Sequence, residues 1–166
     1  MSPTQKMISV AGGLGWLPVA PGTWASLAAI PAAWALHALG GFPLLAAATL
    51  GAFLAGLWAV PAYLAEAGGV DPGEVVIDEV VGMWIALWPL SYGLWRQDLP
   101  GGVFPWPGWT LGFVAFRFFD IVKLPPVSRA ERIPGAWGVM LDDVIAGAMA
   151  AILAGAAAIV AHGLLR

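Results

Sequence analysis

The chain has 166 residues, 60% of them hydrophobic and 10% charged, with a formal net charge of −3 and a mean hydropathy of +0.84. Soluble domains carry roughly 25% charged residues, and a chain this short cannot hide so much apolar surface from water, so an ordinary soluble fold is excluded and lipid is the expected solvent. Seven Lys and Arg in no basic stripe exclude a nucleic-acid partner, and the absence of cysteine excludes disulfides, thiolate metal sites and cysteine nucleophiles.

The length predicts one domain over residues 1–166. The start, Met1 to Lys6, does not read as a signal peptide, because glycines and prolines follow it instead of a compact apolar core. No Asp, Glu, Lys or Arg occurs from Met7 to Ala65. A membrane helix needs about 20 apolar residues, and five segments approach that: Trp24 to Leu39, Phe42 to Ala65, Asp78 to Trp95, Trp109 to Lys123 and Asp142 to Leu165. The first is short and carries Pro31, so it either spans, half-inserts or packs inside the bundle. Gly40-Gly41 separates the first two tightly, and Gly68 to Gly73 breaks the second from the third. Gln97 to Gly108, rich in Pro, Gly and Trp, reads as an interfacial loop. Leu124 to Leu141 is the longest polar connection and holds Arg129, Glu131 and Arg132. Gly147, Ala151 and Gly155, four apart, let another helix approach the last segment closely. The predicted fold is therefore all-α, a polytopic transmembrane bundle of about five segments.

Threading the five segments alternately across a membrane puts the unusual polar groups on one side: Thr23 and Ser26, Asp78 and Glu79, Arg117, Asp120 and Lys123, and Asp142 and Asp143. The same side carries Lys6, Arg129 and Arg132, against Arg96 and Arg166 on the other, so the positive-inside rule makes it cytoplasmic. Each group has an ordinary structural reading. Asp78 and Asp142 could cap helices whose first turns favour acids; Arg117 and Asp120 could form one structural ion pair; Thr23 and Ser26 could start a helix; Lys123 and Arg129 could be positive-inside residues. The set exceeds what capping needs. Five carboxylates gathered at one depth repel one another unless a cation sits among them, and hard oxygen donors suit Mg²⁺. Arg117 and Asp120, three apart, share a helix face, with Lys123 close to it; an arginine fork and a lysine point charge beside a metal are what phosphate binding needs. His37 and His162 fall away from this cluster. With no Asp-x-Asp-x-Thr run, no Gly-x-Ser-x-Gly elbow and no histidine pair on the active face, metal-activated water is the chemistry left.

Four blocks carry a family resemblance: Pro21-Gly22-Thr23, Asp78-Glu79-Val80-Val81-Gly82-Met83, Phe116-Arg117-Phe118-Phe119-Asp120-Ile121-Val122-Lys123, and Gly138-Val139-Met140-Leu141-Asp142-Asp143-Val144-Ile145-Ala146-Gly147. In this order, from about Gly12 to Leu153, the chain resembles the phosphatidylglycerophosphatase A family. The resemblance implies a multi-pass, all-helical enzyme of the bacterial cytoplasmic (inner) membrane that uses Mg²⁺ to convert phosphatidylglycerophosphate to phosphatidylglycerol and inorganic phosphate. The chain departs from the family pattern at Leu124-Pro125-Pro126, where Pro-x-Pro is usual, at Pro134-Gly135-Ala136, where His-Gly-Gly is common, and at Ala25, where glycine is frequent. The resulting expectation puts Mg²⁺ on Asp78, Glu79, Asp142 and Asp143, with Asp120 a ligand or the residue orienting water, and the catalytic carboxylates among Glu79, Asp120 and Asp143. Thr23, Arg117 and Lys123 are expected to bind the phosphate, at a site facing the cytoplasm, with the acyl chains left among the membrane lipids. Three rivals predict otherwise: a cation transporter would continue its acids through the membrane, a structural subunit would need no metal, and a headgroup transferase would carry an Asp-Gly-x-x-Ala-Arg run, which is absent.

Overall fold

The computed structural model describes residues 1–68, 73–99, 103 and 105–164. Among these residues it is all-helical, with no strand. Helix α1 (Pro3–Ser9) starts on a capping box, in which Ser2 Oγ accepts from the Gln5 backbone N–H and Gln5 Oε1 accepts from the Ser2 backbone N–H. A 3-10 segment (Ala11–Trp16) turns on Gly12 and Gly13, whose positive φ favours glycine. Then come α2 (Pro21–Glu66), α3 (Ile77–Ala86), α4 (Trp88–Arg96), α5 (Trp106–Val122), the single turn α6 (Val127–Ala130) and α7 (Ala136–Leu164).

Helix α2 is a hairpin. Helical geometry fails at Gly40 and Gly41, and Gly41 has φ 63°. A side chain at Gly41 would also meet Trp95 Cδ1 at 2.4 Å, so the glycine is needed both for its conformation and for space. The contacts show the reversal. Along the first arm, Ser26 meets Glu79 and His37 meets Ser91, so that arm runs parallel to α3 and α4. Along the second arm, Phe42 packs on Trp95, Thr49 meets Trp88 and Gly56 faces Ile77, so it runs antiparallel. In the same way Phe116, Gly112 and Gly108 of α5 face Gly82, Leu87 and Leu90 in reverse order, and Gly147 and Gly155 of α7 face Gly82 and Pro89 in forward order. The chain thus makes five passes of alternating direction.

Two helices, α2 and α7, are individually long and apolar enough to cross a membrane. The third expected segment is split: α3 ends at Ala86 and α4 begins at Trp88, because Pro89 lacks the N–H that would continue the ladder. The last segment does not begin with its acids. Gly135, at φ 75° after Pro134, launches α7 at Ala136, so Asp142 and Asp143 lie nearly two turns inside the helix and cap nothing. The Gln97 to Gly108 loop is described only in part, and Arg166 lies outside the described residues.

The crossing that matters most lies at Gly82. A Cβ there would stand 2.5 Å from the Phe116 ring and 2.6 Å from the Asp143 carbonyl, and a Cβ on Gly147 would stand 2.3 Å from the Gly82 carbonyl. Three helices therefore approach at backbone contact around Phe116, which is fully buried among Ala29, Met83, Ala115, Ala146 and Ala150. Small residues permit that approach, and the buried ring fills it. About one turn beyond this crossing, on the same end of the bundle, lie Glu79, Asp120 and Asp143.

Candidate active site

Helix α3 carries Asp78 and Glu79 in its first turn, where the helix dipole favours acids. The Asp78 carboxylate accepts from the Glu79 backbone N–H at 2.9 Å, so Asp78 caps locally while Glu79 points elsewhere. Helix α5 contributes Arg117 and Asp120 from adjoining turns of one face, and α7 contributes Asp142 and Asp143 from its second turn. The first arm of α2 brings Gly22, Thr23 and Ser26. Every predicted site residue, Thr23, Asp78, Glu79, Arg117, Asp120, Lys123, Asp142 and Asp143, lines one cleft of about 260 Å³.

Arg117 organises one wall. Its Nη1 donates to Glu79 Oε2 at 2.5 Å and to Asp120 Oδ2 at 2.9 Å. Its Nε is buried without a partner among the described residues. Ser26, fully buried, sets its hydroxyl 2.7 Å from Glu79 Oε2 and 2.9 Å from the Gly22 carbonyl, and its one proton serves one of the two at a time. Gly22 is required by space: a Cβ there would fall 2.0 Å from Glu79 Oε1. Glu79 is thus held between Arg117, Ser26 and a glycine.

Oxygens of Glu79, Asp120 and Asp143 lie within 4.8 Å of one another. Asp143 is only 3% exposed, and among the described residues its carboxylate has neither a hydrogen-bond donor nor an ion pair. Such a group is costly to bury in its charged form unless a cation joins it. Three hard oxygen donors from three helices fit a divalent ion of the Mg²⁺ type.

Lys123 belongs to a second arrangement. It leaves α5 at φ 50°, so it does not continue the Arg117–Asp120 face. Its ammonium donates to Glu131 at 2.8 Å and to Asp142 at 2.9 Å. Burial opposes its charge, but the carboxylates of Glu131 and Asp142 outweigh burial and hold its pKa above the ordinary lysine value. Asp142 also accepts from the Asp143 N–H, so it is committed to Lys123 and its own helix. The expected metal set thus divides: Glu79 and Asp143 face the common centre with Asp120, whereas Asp78 and Asp142 spend oxygens on local bonds. Thr23 lines the cleft.

Two functional neighbours escaped the residue pattern. Ser26 reads as a helix-start hydroxyl, and only the packing of α2 on α3 reveals its carboxylate partner. Glu131 lies in the polar connection, and nothing in its spacing points to Lys123. His37 bonds Ser91 at 2.8 Å near the hairpin turn, away from the cleft, and the His162 side chain lies outside the described residues.

The family model described as Phosphatidylglycerophosphatase A matches residues 7–158. The chain is 33% identical over 153 residues to phosphatidylglycerophosphatase A of Escherichia coli K12, covering 91% of this chain and 81% of that protein. It is 34% identical over 149 residues to the protein of that name from Haemophilus influenzae, covering 89% and 84%. It is 38% identical over 152 residues, 89% of both chains, to a Bacteroides thetaiotaomicron protein whose name carries a provisional phosphatidylinositol-3-phosphatase assignment. No solved structure matches the chain.

Proposed function

We propose that this chain, which belongs to the phosphatidylglycerophosphatase A family and is a phosphoric monoester hydrolase, removes the terminal phosphate of phosphatidylglycerophosphate in a Mg²⁺-dependent reaction at the cytoplasmic face of a bacterial inner membrane. The observation that carries the metal-dependent reading is the buried carboxylate of Asp143, unpaired among the described residues, beside Glu79 and Asp120. A Mg²⁺ held by those three would neutralise their charge, polarise the phosphoryl group and acidify a water molecule.

The protein's own groups account for the rest. Arg117 lies against the cluster and lines the cleft, where its guanidinium can bind a phosphoryl oxygen. Ser26 and Gly22 hold Glu79 in place. Asp143, which meets no hydrogen-bond donor among the described residues, is placed to take the proton from the attacking water, while Asp120 pairs with Arg117 at 2.9 Å. Lys123, kept charged by Glu131 and Asp142, faces the phosphate from the other wall. Thr23 adds a hydroxyl at the mouth. Asp78 and Asp142 act behind the cluster, through Glu79 N–H and Lys123.

The membrane reading has five crossings. The 17 residues of α5 extend about 25 Å at about 1.5 Å per residue, close to a hydrocarbon core of about 30 Å. Large apolar side chains such as Leu39, Leu50, Val114, Ile152 and Ile159 stand outside the bundle, as lipid-facing residues do. The end that carries the cleft also carries Lys123, Arg129 and Arg132, which supports a cytoplasmic placement. A headgroup site at that level lets the acyl chains stay in lipid.

The test is phosphate release by the purified protein in detergent from phosphatidylglycerophosphate and, separately, from phosphatidylinositol 3-phosphate, with the lipid product identified by mass spectrometry. Faster release from the first, with phosphatidylglycerol as product, is expected. Preference for the inositol lipid would favour the activity that names the Bacteroides relative.

A further inference from the structure

A second pocket of about 270 Å³ adjoins the cleft and shares Lys123 and Asp142 with it. Its remaining walls come from Leu64 at the end of α2, from residues 131–135 between α6 and α7, and from the first turn of α7. Two cations therefore face this space: Lys123 on the dividing wall and Arg132 on the far one. Their situations differ. Lys123 is neutralised by Glu131 and Asp142, whereas Arg132 has no ion pair among the described residues. Ile133 lines the pocket and is well exposed, and Trp137 on α7 is exposed too, so an apolar flank lies beside a pocket whose two bases and two acids balance.

We propose that this second pocket receives the glycerol phosphodiester part of the substrate headgroup, with Arg132 on the diester phosphate. The inference rests on the lipid phosphatase reading above and names a specificity residue for it. The substrate carries two anions separated by one glycerol, a terminal phosphomonoester and a phosphodiester that joins it to the lipid. Two adjoining pockets, each with an arginine and with a lysine between them, match that sequence of charges. When the terminal phosphate lies against Arg117, the glycerol passes Lys123 and the diester reaches Arg132. Lys123 offsets only one of the two carboxylates it meets, Glu131 at 2.8 Å and Asp142 at 2.9 Å, so the positive charge for the diester comes from Arg132, while the half-exposed Glu131 carboxylate can accept from the free glycerol hydroxyl. The apolar flank at Ile133 and Trp137 then faces the acyl chains.

The test is steady-state phosphate release from phosphatidylglycerophosphate in detergent by the wild type, Arg132→Gln, Arg132→Lys and, as a control, Arg129→Gln, which alters an exposed arginine outside both pockets. Arg132→Gln should raise KM about tenfold, the loss expected for one charge-assisted phosphate contact, with kcat within about twofold. Arg132→Lys should recover most of the loss, and Arg129→Gln should match the wild type. An unchanged KM in Arg132→Gln would overturn the proposal, as would a fall in kcat alone or an equal effect in Arg129→Gln. Wild-type protein that releases no phosphate would overturn the underlying reading and this proposal with it, an outcome distinct from an active wild type with an indifferent Arg132.

Discussion

Replacing Gly22 with alanine should separate the site from the fold. The new methyl would stand 2.0 Å from Glu79 Oε1 and 2.8 Å from its Cδ, where real contacts do not fall below 3.0 Å. The carboxylate must therefore retreat by about 1 Å, away from Arg117 and Ser26, which now hold it at 2.5 and 2.7 Å. Because the obstructing atoms are the far end of a flexible side chain, the helix backbone need not move, and the stability cost should stay within about 1 kcal/mol. The cost in activity should be larger, since a misplacement of about 1 Å in a reacting constellation lowers rates about 100-fold. The assay pairs thermal unfolding in detergent with phosphate release from phosphatidylglycerophosphate. A Gly22→Ala protein with wild-type turnover would refute the placement of Glu79 at the reacting centre.

Two further substitutions follow from the same geometry. Gly82→Ala puts a methyl against the Phe116 ring and the Asp143 carbonyl, neither of which can yield freely; it should destabilise the protein by about 1–3 kcal/mol, read as a lowered midpoint in thermal unfolding, and an unchanged midpoint would contradict the close three-helix crossing. Arg117→Lys keeps the charge but loses the planar guanidinium, whose Nη1 alone serves Glu79 and Asp120 and whose other N–H groups are left for a phosphoryl group; kcat should fall at least about tenfold with the fold retained, and wild-type kcat would remove Arg117 from the phosphate.

Much of this arrangement was legible in the residues because lipid makes charge informative. In a chain with no Asp, Glu, Lys or Arg from Met7 to Ala65, each later acid or base stands out, and alternating the apolar segments is enough to bring Glu79, Arg117, Asp120 and Asp143 to one end. Gly40-Gly41 likewise announces the hairpin. Helix starts were harder. Asp142-Asp143 looks like an acidic first turn, but the positive φ at Gly135 begins α7 at Ala136, and nothing in local propensity separates the two starts. The break at Leu87 follows from Pro89, which a count of apolar residues ignores. Lys123 leaves its helical face through a left-handed backbone that spacing alone does not foretell, and that turn directs it to Asp142 and Glu131. Ser26 and Glu131 take their roles from partners distant in sequence or across a loop, so only tertiary packing exposes them.

The most direct measurement of the central claim is phosphate release from phosphatidylglycerophosphate after the purified protein has been stripped with EDTA and then titrated with Mg²⁺, for the wild type and for Asp143→Asn. Activity that is absent in EDTA, returns with Mg²⁺ in the wild type and fails to return in a folded Asp143→Asn protein is the predicted result. Full turnover in excess EDTA, or wild-type turnover by Asp143→Asn, would contradict a metal-dependent reaction built on the carboxylates of Glu79, Asp120 and Asp143.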